Sequence, residues 1–434
     1  MTQPPPESPV LPPSSLAVAA FSTIVEWYDF TLYLYFATVL ARVFYGGGEG
    51  SLLLTLGGFA IAYLMRPLGA VAFSHVGDKY GRRRMLLLSV ALMTVAMLAT
   101  ALLPTRAVAG PAAGWLLLAL RCVMGFSVGG EYTGVVAYLL EGAPERRRGL
   151  ITSSASAASE VGGLLAVGIA ALTVSLVSAG DLERWGWRIP FFVGAALAGS
   201  VGIARSTMQE SPEFHRQRRE STVPDVPLRH AITHHRAGIA RGFAISALGS
   251  ITYYVGITYV PSFLTSAGGL SEGQSLWLST IAAVAVIAVT PLTGILSDRV
   301  GRKPVLLALC LGSAALPITM FSAMASSVHG YALAGAVILA MLAGAVSAVG
   351  AVATAEQFPG EGRITGLALG ATMATAIFGG LTPLAAQWLV ERTGWSTAPG
   401  IMIALVAVCV LPVFLAMRET APAVSARRSR SASS

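Results

Sequence analysis

Charge is scarce in this chain. Asp, Glu, Lys and Arg make up only 12% of its 434 residues, against roughly 25% in a soluble domain. So few charges cannot cover a water-facing surface, which excludes an ordinary soluble protein. Cysteine is nearly absent. Cys122, Cys310 and Cys409 all fall inside apolar stretches, so no disulfide framework is expected and all three read as small packing residues. Residues 1–15 hold no Lys or Arg. No basic region precedes the first apolar stretch, so a cleaved signal is not expected, and this Pro-rich segment reads as a disordered cytoplasmic tail. The chain has no Gly-x-x-x-x-Gly-Lys-Ser/Thr motif, which leaves ATP coupling nothing to rest on. With no metal-ligand spacing and no nucleophile motif either, neither an enzyme nor a bound cofactor is expected.

What the chain has in abundance is apolar length: 54% of it is hydrophobic. A bilayer span needs roughly 20 mostly apolar residues. Twelve such runs are present, at about 17–41, 52–74, 85–103, 112–140, 151–178, 189–204, 238–264, 275–296, 304–324, 331–355, 364–390 and 397–417. The expected fold is an all-α membrane protein of twelve transmembrane helices in two six-helix bundles, 16–204 and 238–417. A polar cytoplasmic loop, 205–237, joins them, and a short tail, 418–434, follows. His230, His234 and His235 sit in or at that loop without cysteine beside them, and read as solvated rather than metal-binding.

The net charge of +8 reflects topology, not a nucleic-acid footprint. With both termini in the cytoplasm, 22 of the 29 Lys and Arg fall in cytoplasmic segments and five in outer ones. That is the positive-inside asymmetry, and the opposite orientation would invert it. A multi-pass protein of the inner (plasma) membrane is expected, working as a monomer in the lipid bilayer.

The two halves repeat each other. Gly77-Asp-Lys-Tyr-Gly-Arg-Arg-Arg84 matches Ser297-Asp-Arg-Val-Gly-Arg-Lys303. Asp78 lies 63 residues before Glu141, and Asp298 lies 58 before Glu356. Arg148 and Arg363 each follow seven residues after those glutamates. The glycines, Gly81 and Gly301, permit tight reversals. Asp78 and Asp298 can cap a neighbouring helix N-terminus, while Arg82 and Arg302 can pair with Glu141 and Glu356. These residues, from Gly77 to Arg363, form a candidate cytoplasmic gate that closes the inner side. Positive-inside anchoring alone is the simpler alternative.

Six ionisable residues lie deep within the predicted spans, away from their first turns: Glu26, Asp29, Arg66, Arg121, Glu131 and Glu160. Each is costly in hydrocarbon unless it faces protein or water. All belong to the first half. Glu26 and Asp29, three apart and continued by Tyr33, are expected to share a helix face and resist ionising together. They are the candidate proton site, with Glu131 third, Arg121 tuning them and Glu160 next in line. A static pair neutralised by Arg66 or Arg121 is the competing reading. Gly125 and Gly129 form a small-x-x-x-small face suited to close helix packing. Arg66, Trp27, Tyr28, Tyr33, Tyr132, Tyr253 and Tyr254 are the candidate substrate contacts: an arginine suits a carboxylate and aromatic faces suit a quaternary ammonium.

The paired Asp-x-x-Gly-Arg-Arg/Lys turns resemble the hallmark loop of the major facilitator superfamily. Glu26-Trp-Tyr-Asp-Phe30, Arg66-Pro-Leu-Gly69, Gly125-Phe-Ser-Val-Gly-Gly-Glu-Tyr-Thr-Gly134, Trp185-Gly-Trp-Arg-Ile-Pro-Phe-Phe192, Glu210-Ser-Pro-Glu-Phe214 and Phe378-Gly-Gly-Leu-Thr-Pro383 narrow the resemblance to its metabolite:proton symporters. That family includes proline/betaine, citrate, alpha-ketoglutarate and shikimate carriers. The resemblance implies proton-coupled uptake of a small polar metabolite by alternating access, either a zwitterionic solute or an organic acid. Proton-driven efflux, or a sensor that keeps the fold without transport, is the alternative. The chain departs from the family at Met124, where Gln is usual, and around 153–158, where Ser and Ala replace Trp. The segment 418–434 is too short for the osmosensing carrier's coiled coil and lacks heptads.

Overall fold

The structure is a computed structural model that describes residues 13–80, 82–129, 132, 135–136, 139–140, 143–206, 235–326, 328–358, 366–422 and 424. Glu131, Gly81, Glu141, Arg363, His230 and His234 lie outside the described residues, as do the side chains at 74–83, which include Asp78 and Arg82. Gly77 falls in that same stretch.

Fourteen helices position the site. In the first half these are α1 (Pro13–Tyr35), α2 (Ala37–Tyr45), α3 (Ser51–Tyr80), α4 (Arg82–Leu102), α5 (Ala112–Ser127), α6 (Arg148–Leu176) and α7 (Arg188–Ser206). In the second they are α8 (Arg236–Tyr253), α9 (Val260–Ser266), α10 (Glu272–Val300), α11 (Arg302–Met324), α12 (His329–Ala355), α13 (Thr382–Thr393) and α14 (Ala398–Ala416). Among the described residues, eight helices are long and apolar enough to cross a membrane, or nine if the pair Arg236–Thr258 and Val260–Ser266, bent by 45°, is one span. Leu87–Leu102 and Ala112–Ser127 are shorter apolar helices. Hydrocarbon leaves no water for backbone groups, so uninterrupted helices are the expected solution.

Local chemistry sets the helix ends. Ser271 accepts from the Gln274 N–H at 3.2 Å, and the Gln274 side chain accepts from the Ser271 N–H at 3.0 Å. This capping box starts α10. Gly301, at φ +115°, reverses the chain into α11, a conformation that glycine adopts without steric cost. Inner here means the side carrying the α3–α4 and α10–α11 turns.

Glycines bring helices into backbone contact. A Cβ on Gly125 would stand 2.0 Å from the Ala62 carbonyl oxygen, and one on Gly129 would stand 2.2 Å from that of Arg66. The small-residue face therefore packs against α3, as the spacing predicts. Between the halves, α6 lies along α10. A Cβ on Gly149 would come 2.7 Å from the Gly294 carbonyl oxygen. All three cysteines are free thiols.

Candidate functional site

α1 carries two buried carboxylates, and each has its own arginine. Glu26 pairs with Arg66 of α3. Asp29 accepts two hydrogen bonds from Arg121 of α5, at 2.8 and 3.3 Å. Glu26 and Asp29 are fully buried, and Arg66 and Arg121 are 8% and 3% exposed. The two carboxylates, about 60° apart around α1, therefore meet different helices, Glu26 facing α3 and Asp29 facing α5, and the pairing is that of the competing reading, carboxylates neutralised by Arg66 and Arg121. Arg121 also donates to the Thr100 hydroxyl at 3.3 Å. Removing one member of such a buried pair strands the other charge, at about 3–5 kcal/mol.

Arg66 leads onward to the second half. It donates to the Tyr63 hydroxyl at 2.6 Å and sits over the Phe30 ring, 4.3 Å from its centroid. Tyr63 in turn meets the Tyr254 hydroxyl. The chain Glu26–Arg66–Tyr63–Tyr254 thus crosses from one bundle to the other. A π-helical turn, Tyr254–Thr258, follows α8, the kind of local irregularity often found at functional sites.

Beneath this crossing, toward the inner side, lies a cavity of about 140 Å³. That holds roughly four or five waters at ~30 Å³ each, or a compact metabolite. Its walls include Trp27, Arg66, Tyr132, Ser159, Tyr253 and Tyr254 from the expected set and their neighbours. Both bundles contribute. Trp27 is the hub: its ring stands 5.7 Å from Tyr132, 5.2 Å from Tyr253 and 6.3 Å from Tyr254, centroid to centroid. Tyr132 shares a hydrogen bond with Ser156 at 3.1 Å.

Two expected substrate contacts fall elsewhere. The Tyr28 hydroxyl donates to the Pro190 carbonyl at 2.7 Å, and Tyr33 donates to the Thr55 carbonyl at 2.9 Å. Both fasten α1 to neighbouring helices and do not line the cavity. Their positions on α1 turn them away from the face that Trp27 presents. Glu160 is 2% exposed on α6, and its Oε1 has no hydrogen-bond partner.

On the inner side, Asp298, Arg302 and Glu356 of the second copy of the repeat are assembled into one cluster. Asp298 accepts from the backbone N–H groups of Gly149, at 2.9 Å, and Leu150, at 3.0 Å. It thereby caps α6 of the opposite half, where the helix dipole favours a negative charge. Arg302 donates to Asp298 at 2.8 Å and to Glu356 at 3.3 and 3.4 Å. Burial pushes the Glu356 carboxyl up from its ordinary value, while Arg302 and a hydrogen bond from Thr420 pull it down. Arg148 lies 4.0 Å from Glu145.

Two groups were missed by sequence reasoning. Glu419 caps α11 by accepting from the N–H groups of Arg302 and Lys303, at 2.8 and 3.1 Å. On the outer side, Arg42 spans the halves. It donates to Glu272 of α10 at 2.5 and 2.9 Å and to Glu183 at 2.8 Å. The Trp277 indole N–H donates to Ser175 nearby, at 3.1 Å. The available signal was the presence of charges in outer segments that otherwise hold few.

Two helical halves around a shared cavity, each side fastened by its own ionic clasp, define a membrane carrier of the alternating-access kind. A sugar (and other) transporter family model matches residues 16–225, and a major facilitator superfamily model matches residues 242–433. A proline/betaine transporter of Salmonella typhimurium is 32% identical over 94% of this chain and 83% of its own length. The glycine betaine/proline/ectoine/pipecolic acid transporter OusA of Dickeya dadantii is 33% identical over the same shares. Alpha-ketoglutarate permease of Escherichia coli is 32% identical over 92% of both chains. The xylose transporter XylE of Escherichia coli, in a partially occluded inward-open conformation, superposes with a TM-score of 0.75 at 21% identity, over 94% of this chain and 98% of its own. The chain belongs to the major facilitator superfamily, among its metabolite:proton symporters, and is a secondary transporter.

Proposed function

We propose that this protein takes up a small zwitterion of the betaine or proline type together with protons, driven by the proton gradient without a bound cofactor. The observation that carries this reading is the cavity wall. Trp27, Tyr132, Tyr253 and Tyr254 present aromatic faces, which attract a quaternary or secondary ammonium. Arg66, at the same wall, supplies the charge that a single carboxylate needs. The similarity to proline/betaine carriers supports the same substrate class. A di- or tricarboxylate would bring two or three negative charges to a wall whose described lining carries one cation, Arg66. The asymmetry of Lys and Arg supports placing both termini in the cytoplasm of an inner-membrane protein. The residues that line the cavity come from both halves of one chain, which supports a functional monomer.

The test is uptake of radiolabelled betaine, proline, alpha-ketoglutarate and citrate by cells lacking their own carriers. Betaine or proline is expected to accumulate, and to do so more at acidic external pH. Trp27→Ala is expected to lower that uptake at least tenfold, since the ring holds three aromatic neighbours in place. Accumulation of the organic acids alone would transfer the assignment to them.

A further inference from the structure

We infer that Glu160 is the carboxyl that takes up and releases the transported proton, an inference that rests on the proton-coupled reading above. The argument begins with the other intramembrane carboxylates. Glu26 and Asp29 are each neutralised by an arginine, so neither has a proton to carry while its pair holds. Glu160 has no such partner among the described residues. An isolated ionised carboxylate in a protein interior is expensive. With no counterion, the proton itself is what neutralises it.

α1, which packs along α6, carries Tyr35 and the already paired Glu26 and Asp29. From α8 comes Tyr253, and from the fourth span Tyr132. α10 and α12 carry their ionisable residues only near their ends, Glu272, Asp298 and Arg299 on one and His329 and Tyr331 on the other. α7 does so too, at Arg188 and Arg205. The phenols of Tyr35, Tyr132 and Tyr253 lie within electrostatic reach of Glu160.

This corner of the protein also holds more orphaned polar atoms. The Tyr253 hydroxyl and the Trp27 indole N–H are buried without hydrogen-bond partners, as is Oε1 of Glu160. Gly163 follows Glu160 by three residues and so shares its face of α6. A Cβ there would stand 3.4 Å from the Tyr253 hydroxyl and 3.7 Å from that of Tyr35. Ser159, next in the chain, lines the cavity with Trp27 and Tyr253. Buried polar groups are almost always satisfied. Two open donors on residues that line the cavity, Trp27 and Tyr253, and one open acceptor on the neighbour of Ser159, which lines it too, mark a place where water or solute completes the set and brings a proton to Glu160. The step is a simple balance: the carboxylate binds a proton from water on the outer side as an O–H bond, and that bond breaks to water on the inner side.

The experiment uses the full chain in proteoliposomes, with betaine as solute and a pH-sensitive dye reporting proton movement. Wild type is expected to concentrate betaine under an imposed inward proton gradient and to move protons with it. Glu160→Gln is expected to lose accumulation, with the internal-to-external ratio falling to about one, and to lose the pH dependence of whatever betaine flux remains. Glu160→Asp is expected to restore both. If Glu160→Gln concentrates betaine as wild type does, the inference fails. If wild type itself moves no protons, the symport reading fails with it. A second measurement needs no variant. A hydrophobic carbodiimide reacts with protonated carboxyls, so peptide mass spectrometry of treated wild type should find Glu160 modified, and more so at lower pH. Modification at Glu26 or Asp29 with none at Glu160 would overturn the assignment.

Discussion

Asp298→Asn should release the inner clasp, and its effect can be worked from the geometry. Asp298 makes two hydrogen bonds across the halves, to the Gly149 and Leu150 N–H groups. Its bond to Arg302 stays within one half, so that bond persists in both states and drops out of the comparison. Asparagine keeps one acceptor oxygen and turns an amide NH2 toward the other donor. The variant loses one hydrogen bond to a charged group, about 1.5–3 kcal/mol. It also loses the charge at a partly buried helix N-terminus, about 0.3–2 kcal/mol. The inner-closed state is thus weakened by about 2–5 kcal/mol, roughly 30- to 5000-fold in the ratio of closed to open. A reporter follows from the cavity wall: Ser246→Cys, in a background where Cys122, Cys310 and Cys409 are replaced by alanine. Alkylation by a membrane-impermeant maleimide from the inner side should accelerate at least tenfold in Asp298→Asn. An unchanged rate in a variant that folds and inserts normally would refute the clasp.

Two further outcomes are expected. Arg42→Glu should open the outer side and slow transport, because it sets three acidic groups together. Adding Glu272→Arg should restore transport in large part, which an uptake assay will show; failure of the double variant to exceed Arg42→Glu would mean the contact is incidental. Gly125→Ala should force α3 and α5 apart, since its Cβ would stand 2.0 Å from a carbonyl oxygen. Overpacking of that kind costs about 1–3 kcal/mol and should appear as a lower unfolding temperature in detergent.

Much of this architecture was legible in the sequence because the bilayer imposes simple rules. Apolar length marks spans, and the repeated Asp-x-x-Gly-Arg turns mark the two halves. The pairing of charges was not legible. Glu26 and Asp29 are neighbours in sequence, but which arginine each meets depends on the rotation of α1 against α3 and α5. The same holds for the aromatics. Trp27 and Tyr28 are adjacent, yet one faces the cavity and the other the Pro190 carbonyl. The outer clasp joins residues 141 and 230 positions apart, and no local pattern announces such a meeting.

α10 joins the two clasps mechanically. It is 29 residues long, about 43 Å at 1.5 Å per residue. Glu272 opens it and Asp298 nearly closes it, and both residues are gripped by the opposite half of the protein. The helix is therefore a beam tied at its two ends to the same support. Untying one end leaves the other as a fulcrum, so each clasp serves as the hinge for the opening of its counterpart. Loosening the inner tie has the same effect on the balance of states as tightening the outer one. The side on which the cavity spends most of its time can then be shifted by single residues some 40 Å apart, while the walls that choose the solute stay as they are.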